Sequence, residues 1–505
     1  MVNITYDAAR SIIATDSDSG QQYIYNPGDI SWVLASTALV MIMTPGVGFF
    51  YAGLLRRKNA LSCIALSVAV YAVVTIQWFL FGYSLAYSPT ASKFIGDFKH
   101  FGLKNVLEKP IPAIANGTIP PIVFAIYQSM FAALTPMLLL GATAERGRFA
   151  PALVFAFVWS TLVYDPVACW VWNPNGWSAR MGALDYAGGG PVHLTSGVGA
   201  LAYSIWLGKR KGYGTTALAY RPQNIVHVVL GTVFLFFGWL GFNGGSALAA
   251  NFRAASAMTA SNLSACIGGL TWMLIDWRLE HKWSTVGFCS GAIAGLVTVT
   301  PAAGFITIPA ALAFGFVGGA ICNYATQLKT VLRFDDSVDI FAVHAIGGFA
   351  GNMMTALFAD ARVMAYDGTV APGGWINKHW MQLPYQLADS CAIAGYTFVV
   401  TLIILVIMDF IPGLSLRVSE SAEEAGIDLS EIGELAYDYA YTAKESASPF
   451  GHSNNNMYAS HVLQSLQRPQ QVNNDKEQSY PPGAHFTTER STISSTEEGT
   501  DLHRM

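Results

Sequence analysis

The sequence predicts an all-α polytopic membrane protein with eleven transmembrane helices. Of the 505 residues, 52% are hydrophobic and only 12% are charged, which is about half the charged share of a typical soluble domain. A helix needs about 20 apolar residues to cross the hydrocarbon core of a bilayer. Residues 30–411 consist almost entirely of apolar runs of about that length, separated by short charged clusters. This pattern leaves no room for an independent soluble domain and excludes a soluble enzyme.

The apolar runs set the order and approximate bounds of the helices. They lie at 30–55, 60–87, 119–144, 149–172, 191–208, 223–251, 254–275, 284–300, 305–328, 340–359 and 385–411. The stretch from Trp283 to Leu328 carries no charge and is long enough for two spans. Thr300, Pro301 and Gly304 predict the break between these two spans, because Pro and Gly interrupt helices.

Basic residues predict how the chain is oriented in the membrane. They cluster in the short loops that follow spans one, three, five, seven and nine. They are Arg56, Arg57, Lys58, Arg146, Arg148, Lys209, Arg210, Lys211, Arg221, Arg278, Lys282, Lys329 and Arg333. Short cytoplasmic loops carry an excess of Lys and Arg. The loops therefore predict an amino terminus outside the cell and a carboxyl terminus inside.

Composition divides the chain into four parts. Residues 1–29 are polar and form an extracellular amino-terminal segment without a cleavable signal, so the first span must direct insertion. Asn3 heads an Asn-Ile-Thr sequon and is the predicted glycosylation site. The membrane domain covers 30–411, and an acidic, structured cytoplasmic segment covers 412–445. Residues 446–505 are rich in Ser, Asn, Gln and Thr and predict a disordered tail.

Several classes of function are excluded at this point. A net charge of −4 without a basic tract gives no basis for a nucleic-acid partner. The six cysteines all lie inside apolar runs without metal-ligand spacing, which predicts buried thiols rather than disulfides or a metal site. The spans carry no set of residues that would serve as a nucleophile and its base. We therefore expect no enzyme activity, no catalytic residue, no metal and no cofactor.

Two histidines inside the spans are the first candidates for function. His193 lies in span five and His344 in span ten, and ionisable groups within a membrane are expensive and often functional. Each could be an ordinary core residue. However, the two occupy equivalent positions if spans one to five and six to ten are inverted repeats. A pair of imidazoles along an apolar path can pass hydrogen bonds or a proton to a small solute.

Residues near the outer end of span five have two interpretations each. Asp185 precedes a glycine run and could cap the start of a helix; alternatively, its charge favours a cation in an outer vestibule. Trp172 ends span four, where Trp usually belongs to the interfacial belt, but its ring could also bind a cation. Phe131 and Phe242 are ordinary core aromatics by frequency. Residue chemistry alone thus indicates a pore for a small solute with two inward histidines.

Beyond these single residues, longer motifs resemble the ammonium transporter, methylammonium permease and Rhesus (Amt/Mep/Rh) family from about residue 30 to 440. The resemblance is carried by DYAGGGPVHLTSGVGALAYSIWLGKR, GFNGGSA, CSGAIAGLVTVTPAAGF, RFDDSVDIFAVHAIGG and EEAGIDLSEIGELAYDY, in family order. The tail block and the sequon point to the fungal permease branch. His193 keeps the twin-histidine form, which resembles the high-affinity, sensing type.

This resemblance implies a fold, partners and residue roles. The fold would be a 5+5+1 arrangement of helices in a homotrimer of the plasma membrane, with one pore in each subunit and ammonium and methylammonium as substrates. Trp172, Ser246 and Phe131 would form the outer ammonium site, with Asp185 behind it. Phe131 and Phe242 would be the gate, and His193 and His344 would line the pore below.

Three alternatives accompany this assignment: a primary ammonium sensor, a Rhesus-type gas channel and a membrane-embedded enzyme. The tail also carries Ser446 and Ser448, which a regulatory kinase could modify as in related fungal permeases, or which could be two ordinary solvated serines. Asp165 departs from the family pattern because it places a carboxylate inside span four. We expect a protonated Asp165 to satisfy backbone groups that Pro166 leaves unpaired, in preference to a role in the pore.

Overall fold

The computed structural model describes residues 2–6, 11–16, 20–106, 117–215, 218 and 222–437. Its first element is a three-stranded antiparallel sheet in the order β1 (Val2–Tyr6), β2 (Ile12–Asp16) and β3 (Gln22–Tyr25). The polar composition of this segment gave no expectation of strands, although its short runs of β-branched and aromatic residues are typical of them. The sequon residue Asn3 lies in β1 and is paired in register with Thr15.

The remainder of the described chain is almost entirely helical. The long helices, which we number in chain order, are α1 (Pro27–Leu54), α2 (Arg57–Tyr87), α3 (Pro121–Thr143), α4 (Phe149–Met181), α5 (a π-helical turn Gly189–Leu194 continued by Thr195–Leu207), α6 (Ile225–Gly245), α7 (Phe252–Glu280), α8 (Thr285–Val299), α9 (Ile308–Val331), α10 (Phe341–Phe358) and α11 (Gln382–Phe410). Short helical turns at Phe101–Leu103, Ala361–Met364, Ala365–Asp367 and Trp375–Asn377 lie in the connections.

These helices confirm the all-α membrane fold. Within the described residues, nine are long and apolar enough to cross a bilayer, and α8 is an apolar helix of 15 residues. The break inside the uncharged stretch is also confirmed, because α8 ends at Val299 and α9 begins at Ile308. The number of spans and the orientation of the chain stay predictions.

Glycines allow the helices of the second half to pack closely. A β-carbon on Gly268 of α7 would lie 2.4 Å from the carbonyl oxygen of Gly291 in α8. One on Gly315 of α9 would lie 2.5 Å from the carbonyl oxygen of Ser264. Lipid tails are as apolar as the side chains, so helices in a membrane associate through such close contacts between small residues.

The expectation that all six cysteines are buried was wrong. Cys266 and Cys391 are exposed on the outer surfaces of α7 and α11, whereas the other four cysteines are buried free thiols.

The described part of the acidic carboxyl-terminal segment forms a short helix, α12 (Glu420–Ala425), and a π-helical turn at Asp428–Ile432. Gly426 and Gly433 end these pieces with φ angles of 104° and 78°, a region that an L-residue seldom adopts. Ser446 and Ser448 lie outside the described residues.

Candidate functional site

The predicted outer site lies where α3, α4 and α6 meet. The rings of Phe131 and Trp172 are 6.2 Å apart and perpendicular. The indole N–H of Trp172 donates to the main-chain oxygen of Asp185 at 3.1 Å, which fixes the plane of the ring. The Ser246 hydroxyl donates to the carbonyl of Phe242 at 2.8 Å and therefore keeps its lone pairs for a donor. This cage offers a π face and a hydroxyl acceptor to a small cation.

Tyr127 is a member of this cage that sequence reasoning missed. Its hydroxyl donates to the carbonyl of Phe242 at 2.7 Å and lies 3.3 Å from the Ser246 oxygen. Its ring also contacts Phe131, with centroids 5.0 Å apart. Tyr127 lies four residues before Phe131 on α3, so the i, i+4 spacing was a signal that could have identified it.

Below the cage, two phenylalanines close the path. The ring centroids of Phe131 and Phe242 are 4.1 Å apart, with 35° between the planes. Phe131 is 1% exposed and Phe242 is fully buried. Two rings at this distance leave no space between them for a hydrated ion.

The two histidines lie directly below the phenylalanine pair. Nδ1 of His193 and Nδ1 of His344 are 3.2 Å apart, a hydrogen bond that requires a proton on one nitrogen and a lone pair on the other. His193 also stacks on Phe242, with centroids 6.1 Å apart. Its Nε2 is buried and has no hydrogen-bond partner among the described residues. A small hydrogen-bonding solute could supply that partner.

Trp239 is a second residue that sequence reasoning did not single out. Its ring stacks on His193 at 5.3 Å with an angle of 23°, and its indole N–H donates to the Thr300 hydroxyl at 2.9 Å. It precedes Phe242 by three residues on α6, so both rings lie on one helix face. Trp239 thereby fixes the orientation of the His193 ring.

The two histidines occupy matching backbone positions. Each lies in a π-helical turn, Gly189–Leu194 or Phe341–Ile346, which continues as a regular helix. A π-helical turn adds a residue to one helical turn and is frequent at functional sites. The correspondence agrees with the equivalence expected for repeats.

Asp185 connects the outer site to the histidine-bearing turn of α5. One carboxylate oxygen accepts the backbone N–H groups of Gly188 and Gly189 at 2.7 and 2.9 Å, and the other accepts that of Gly190 at 2.6 Å. These three bonds match the capping interpretation. The Asp185 carboxylate is therefore bound to backbone N–H groups inside the chain, at the start of the helix that carries His193.

An inner cavity begins below the histidines. It has a volume of about 430 Å³, and its lining includes His344, Trp239, Tyr51, Asp276 and Lys329. This volume is large enough to hold water.

The basic loops form a buried ion network beside this cavity. Glu145 pairs with Arg56 at 3.0 Å and with Arg210 at 2.7 Å, and Arg210 also pairs with Asp335 at 2.8 Å. Burial alone would raise the pKa of Glu145, but the two guanidinium groups hold it below its ordinary value. The network joins the loops that follow α1, α3, α5 and α9 into one structure.

The acidic carboxyl-terminal segment docks on the same loops. The carboxylate of Asp428 accepts the backbone N–H groups of Leu61 and Ser62 at 3.0 and 2.7 Å, close to the start of α2. Lys211, after α5, donates its backbone N–H to Glu423 at 2.6 Å and pairs with Glu424 at 2.7 Å. The segment thus contacts both α2 and the end of the helix that carries His193.

Two further carboxylates lie inside helices. The expectation that Asp165 satisfies backbone groups near Pro166 is wrong, because its hydrogen-bond donor is the side chain of Gln77 in α2, at 2.7 Å. Asp389 in α11 was missed entirely; it accepts a short bond from Ser178 at 2.5 Å. Both partners are distant in sequence, and periodicity carries no information on such pairs.

Comparisons with known proteins agree with this geometry. Residues 31–437 match the family model described as Ammonium Transporter Family. The chain is 52% identical to Ammonium transporter 1 of Schizosaccharomyces pombe over 83% of this chain and 84% of that protein. It is 49% identical to Ammonium transporter MEP2 of Saccharomyces cerevisiae over 82% and 84%. The crystal structure of Candida albicans Mep2 superposes with a TM-score of 0.75, at 49% identity over 79% of this chain and 87% of that one.

The family model matches most of the chain, and the relatives named above are about 50% identical to it. Both findings show which family the chain belongs to. The site residues predicted from the motifs, except Asp185, form one column from Trp172 to His344, and Asp185 holds the start of the helix that carries His193. The chain belongs to the ammonium transporter family.

Proposed function

We propose that the protein transports ammonium, and methylammonium in its place, across the plasma membrane. The observation that carries this proposal is the unbroken sequence of side chains along one path. Trp172 contacts Phe131, Phe131 stacks on Phe242, Phe242 contacts His193, and His193 bonds to His344. The path begins with a cage for a cation and continues through groups suited to a neutral, hydrogen-bonding solute.

The change in character along the path explains how ammonium is distinguished from potassium. The two ions have equal charge and similar size, so carbonyl dipoles alone discriminate poorly. Ammonium can donate a hydrogen bond to Ser246 and then lose a proton, after which neutral ammonia crosses the apolar segment at much lower desolvation cost. Potassium has no proton to release and stops at the phenylalanine pair.

The histidines provide a route for the released proton. The Nδ1 atoms lie 3.2 Å apart and can share one proton, since two buried imidazolium groups would repel each other strongly. Ammonia and the proton then reach the inner cavity together, and the net movement is that of a cation. Transport is therefore electrogenic in this proposal.

The test is a current measurement on the purified full-length protein in liposomes. Addition of ammonium to one side is expected to produce a current that saturates, and potassium at the same concentration is expected to produce none. Liposomes without protein are the control. Uptake without current would show that only ammonia crosses, and the absence of both would overturn the proposal.

Replacing Trp172 with leucine is expected to weaken selectivity for ammonium. The change removes a cation–π contact of about 1–2 kcal/mol, which corresponds to roughly a 5- to 30-fold loss of apparent affinity. The measurement is the liposome current across a range of ammonium concentrations with potassium as competitor. Trp375, which is one-third exposed and lies outside the path, offers a matched control as Trp375→Leu. Unchanged affinity and selectivity in Trp172→Leu would contradict the assignment of the outer site.

Assembly and regulation complete the proposal. We propose that the protein forms a homotrimer and that its carboxyl-terminal segment lies on the cytoplasmic side of the membrane. The bonds from Asp428 to the start of α2 and from Glu423 to Lys211 support a coupling between this segment and the pore helices. Phosphorylation of Ser446 or Ser448 by a kinase would add about −1.5 to −2 charges per site, shortly after the carboxylate of Glu445 in the sequence. Repulsion would then loosen the segment and change the fraction of open pores.

Tail variants test this regulation. Ser446→Ala and Ser448→Ala are expected to keep transport low under nitrogen-poor conditions, aspartate at either position to raise it, and truncation after Glu445 to remove the response to nitrogen. The measurement is ammonium uptake at matched surface expression in nitrogen-poor and nitrogen-rich medium. Equal uptake by all variants in both media would show that this tail is not the switch.

A further inference from the structure

A carboxamide and a carboxylate pair inside the membrane domain, away from the path of the solute. Gln77 of α2 and Asp165 of α4 are both fully buried. The Nε2 of Gln77 donates to Oδ2 of Asp165 at 2.7 Å and to the Thr161 hydroxyl at 3.1 Å. Asp165 lies on α4 about two helical turns before Trp172. The pair therefore joins α2 to the helix that presents the outer site.

Within the part of the chain that the structure describes, no positive charge balances the carboxylate, because Asp165 forms no ion pair there. Its titratable neighbours are Tyr87 from α2, Tyr164 and Cys169 from α4, and, against the same turn, Tyr396 from α11. All four are uncharged at neutral pH. Helix α3, which also packs there, carries no Asp, Glu, Lys, Arg or His.

Two oxygen atoms of the pair have no donor. They are Oδ1 of Asp165 and Oε1 of Gln77, both buried. An ionised carboxylate cannot satisfy Oε1, because both atoms would be acceptors. One proton on Oδ1 satisfies both at once, since the acid O–H can donate to Oε1 while the amide N–H donates to Oδ2. A buried acceptor left without a donor is unfavourable. Protonation of Asp165 removes two such cases, so the protonated arrangement is favoured.

The local backbone is built around this pair. A π-helical turn, Trp78–Gly82, follows Gln77 directly, and another, Ser160–Tyr164, directly precedes Asp165. A β-carbon on Gly82 would lie 2.6 Å from Oε1 of Gln77. Only glycine leaves the space in which the amide folds back over its own turn. π-Helical turns occur mostly as single turns at functional sites, and here two of them meet at one hydrogen bond.

We propose that Asp165 binds a proton, forms a neutral acid–amide pair with Gln77, and loses that proton at alkaline pH with a fall in transport. The site lies outside the path from Trp172 to His344, so the inference does not depend on the proposed route for ammonia. Hydroxide removes the proton, which breaks the O–H bond and yields water and the carboxylate. Oδ1 and Oε1 are then two acceptors without a proton between them, and their repulsion loosens the contact of α2 with α4.

Infrared difference spectroscopy on the full-length protein in liposomes tests the protonation. Subtracting the spectrum of Asp165→Asn from that of the unmodified protein at neutral pH is expected to leave a C=O band of a protonated carboxylic acid. In Gln77→Leu this band should move to higher frequency, because the bond to Nε2 is lost. Asp367→Asn is the matched control, since Asp367 pairs with Arg253 at 2.5 Å and should lose only carboxylate bands. Carboxylate bands in the Asp165 difference would overturn the proposal.

The pH profile of uptake tests the consequence for transport. At a constant concentration of ammonium ion, uptake by the unmodified protein should fall at alkaline pH, whereas Asp165→Asn, which stays neutral, should keep its activity there. Identical profiles for the unmodified protein and Asp165→Asn would show that ionisation of Asp165 does not control transport.

Discussion

Replacing both His193 and His344 with alanine is expected to reduce the ammonium current by at least 100-fold. The two rings bond to each other at 3.2 Å, and Nε2 of His193 is a buried polar atom with no protein partner below the phenylalanine pair. Without the imidazoles, ammonia would enter this segment with no hydrogen-bonding partner. Each missing bond costs about 1–3 kcal/mol, and about 1.4 kcal/mol is a tenfold change.

Single substitutions at His193 separate two roles of the ring. His193→Glu is expected to retain more current than His193→Ala, because a carboxylate can still accept and pass on a proton. Both variants lose the stacking on Trp239 at 5.3 Å, so the comparison between them isolates proton transfer. The measurement is liposome current and uptake side by side. Wild-type current and selectivity in the double alanine variant would refute any relay.

The helices were predictable from the sequence because they depend on local patterns. Spans are charge-free stretches, and Thr300, Pro301 and Gly304 indicated the break between two of them. The roles of Phe131, Phe242, His193 and His344 were expected from a family resemblance and not from local chemistry. These four residues lie one behind another in the structure, and their roles stay predictions.

Contacts between residues distant in sequence could not be predicted in the same way. The partner of Asp165 is Gln77, and that of Asp389 is Ser178. Helical periodicity assigns a residue to a face but does not say which helix covers that face. The π-helical turns were equally inaccessible, since no composition distinguishes them from the α-helix they interrupt. These are the features on which the inference about Asp165 depends.

Alanine in place of Asp185 is expected to cause the most severe loss of function by a single substitution outside the pore. The carboxylate accepts three backbone N–H groups, from Gly188, Gly189 and Gly190, at 2.6–2.9 Å. Alanine would leave three buried donors unpaired at about 1–3 kcal/mol each. A sum of several kcal/mol is comparable to the whole stability of many proteins. The turn that carries His193 would therefore lose its fixed position.

Conservative substitutions distinguish the charge of Asp185 from its geometry. Glutamate keeps both acceptor oxygens and the charge, but it adds a methylene group in a tight space. The space is tight because a β-carbon built on Gly190 would lie only 3.3 Å from Oδ2 of Asp185. Asparagine keeps one acceptor oxygen, and its N–H₂ group would face at least one of the three backbone donors. We therefore expect Asp185→Glu to retain the most transport and stability, Asp185→Asn less, and Asp185→Ala the least.

The measurement is uptake at matched surface expression together with the thermal unfolding midpoint of the purified protein. If geometry dominates, stability and transport fall together across the three variants. If the charge instead attracts the cation, Asp185→Asn should keep its stability and lose apparent affinity for ammonium. Raised salt should then lower the apparent affinity of the unmodified protein towards that of Asp185→Asn. Equal transport by the alanine and glutamate variants would leave Asp185 only a packing role, because neither the lost bonds nor the lost charge would then matter to the helix that carries His193.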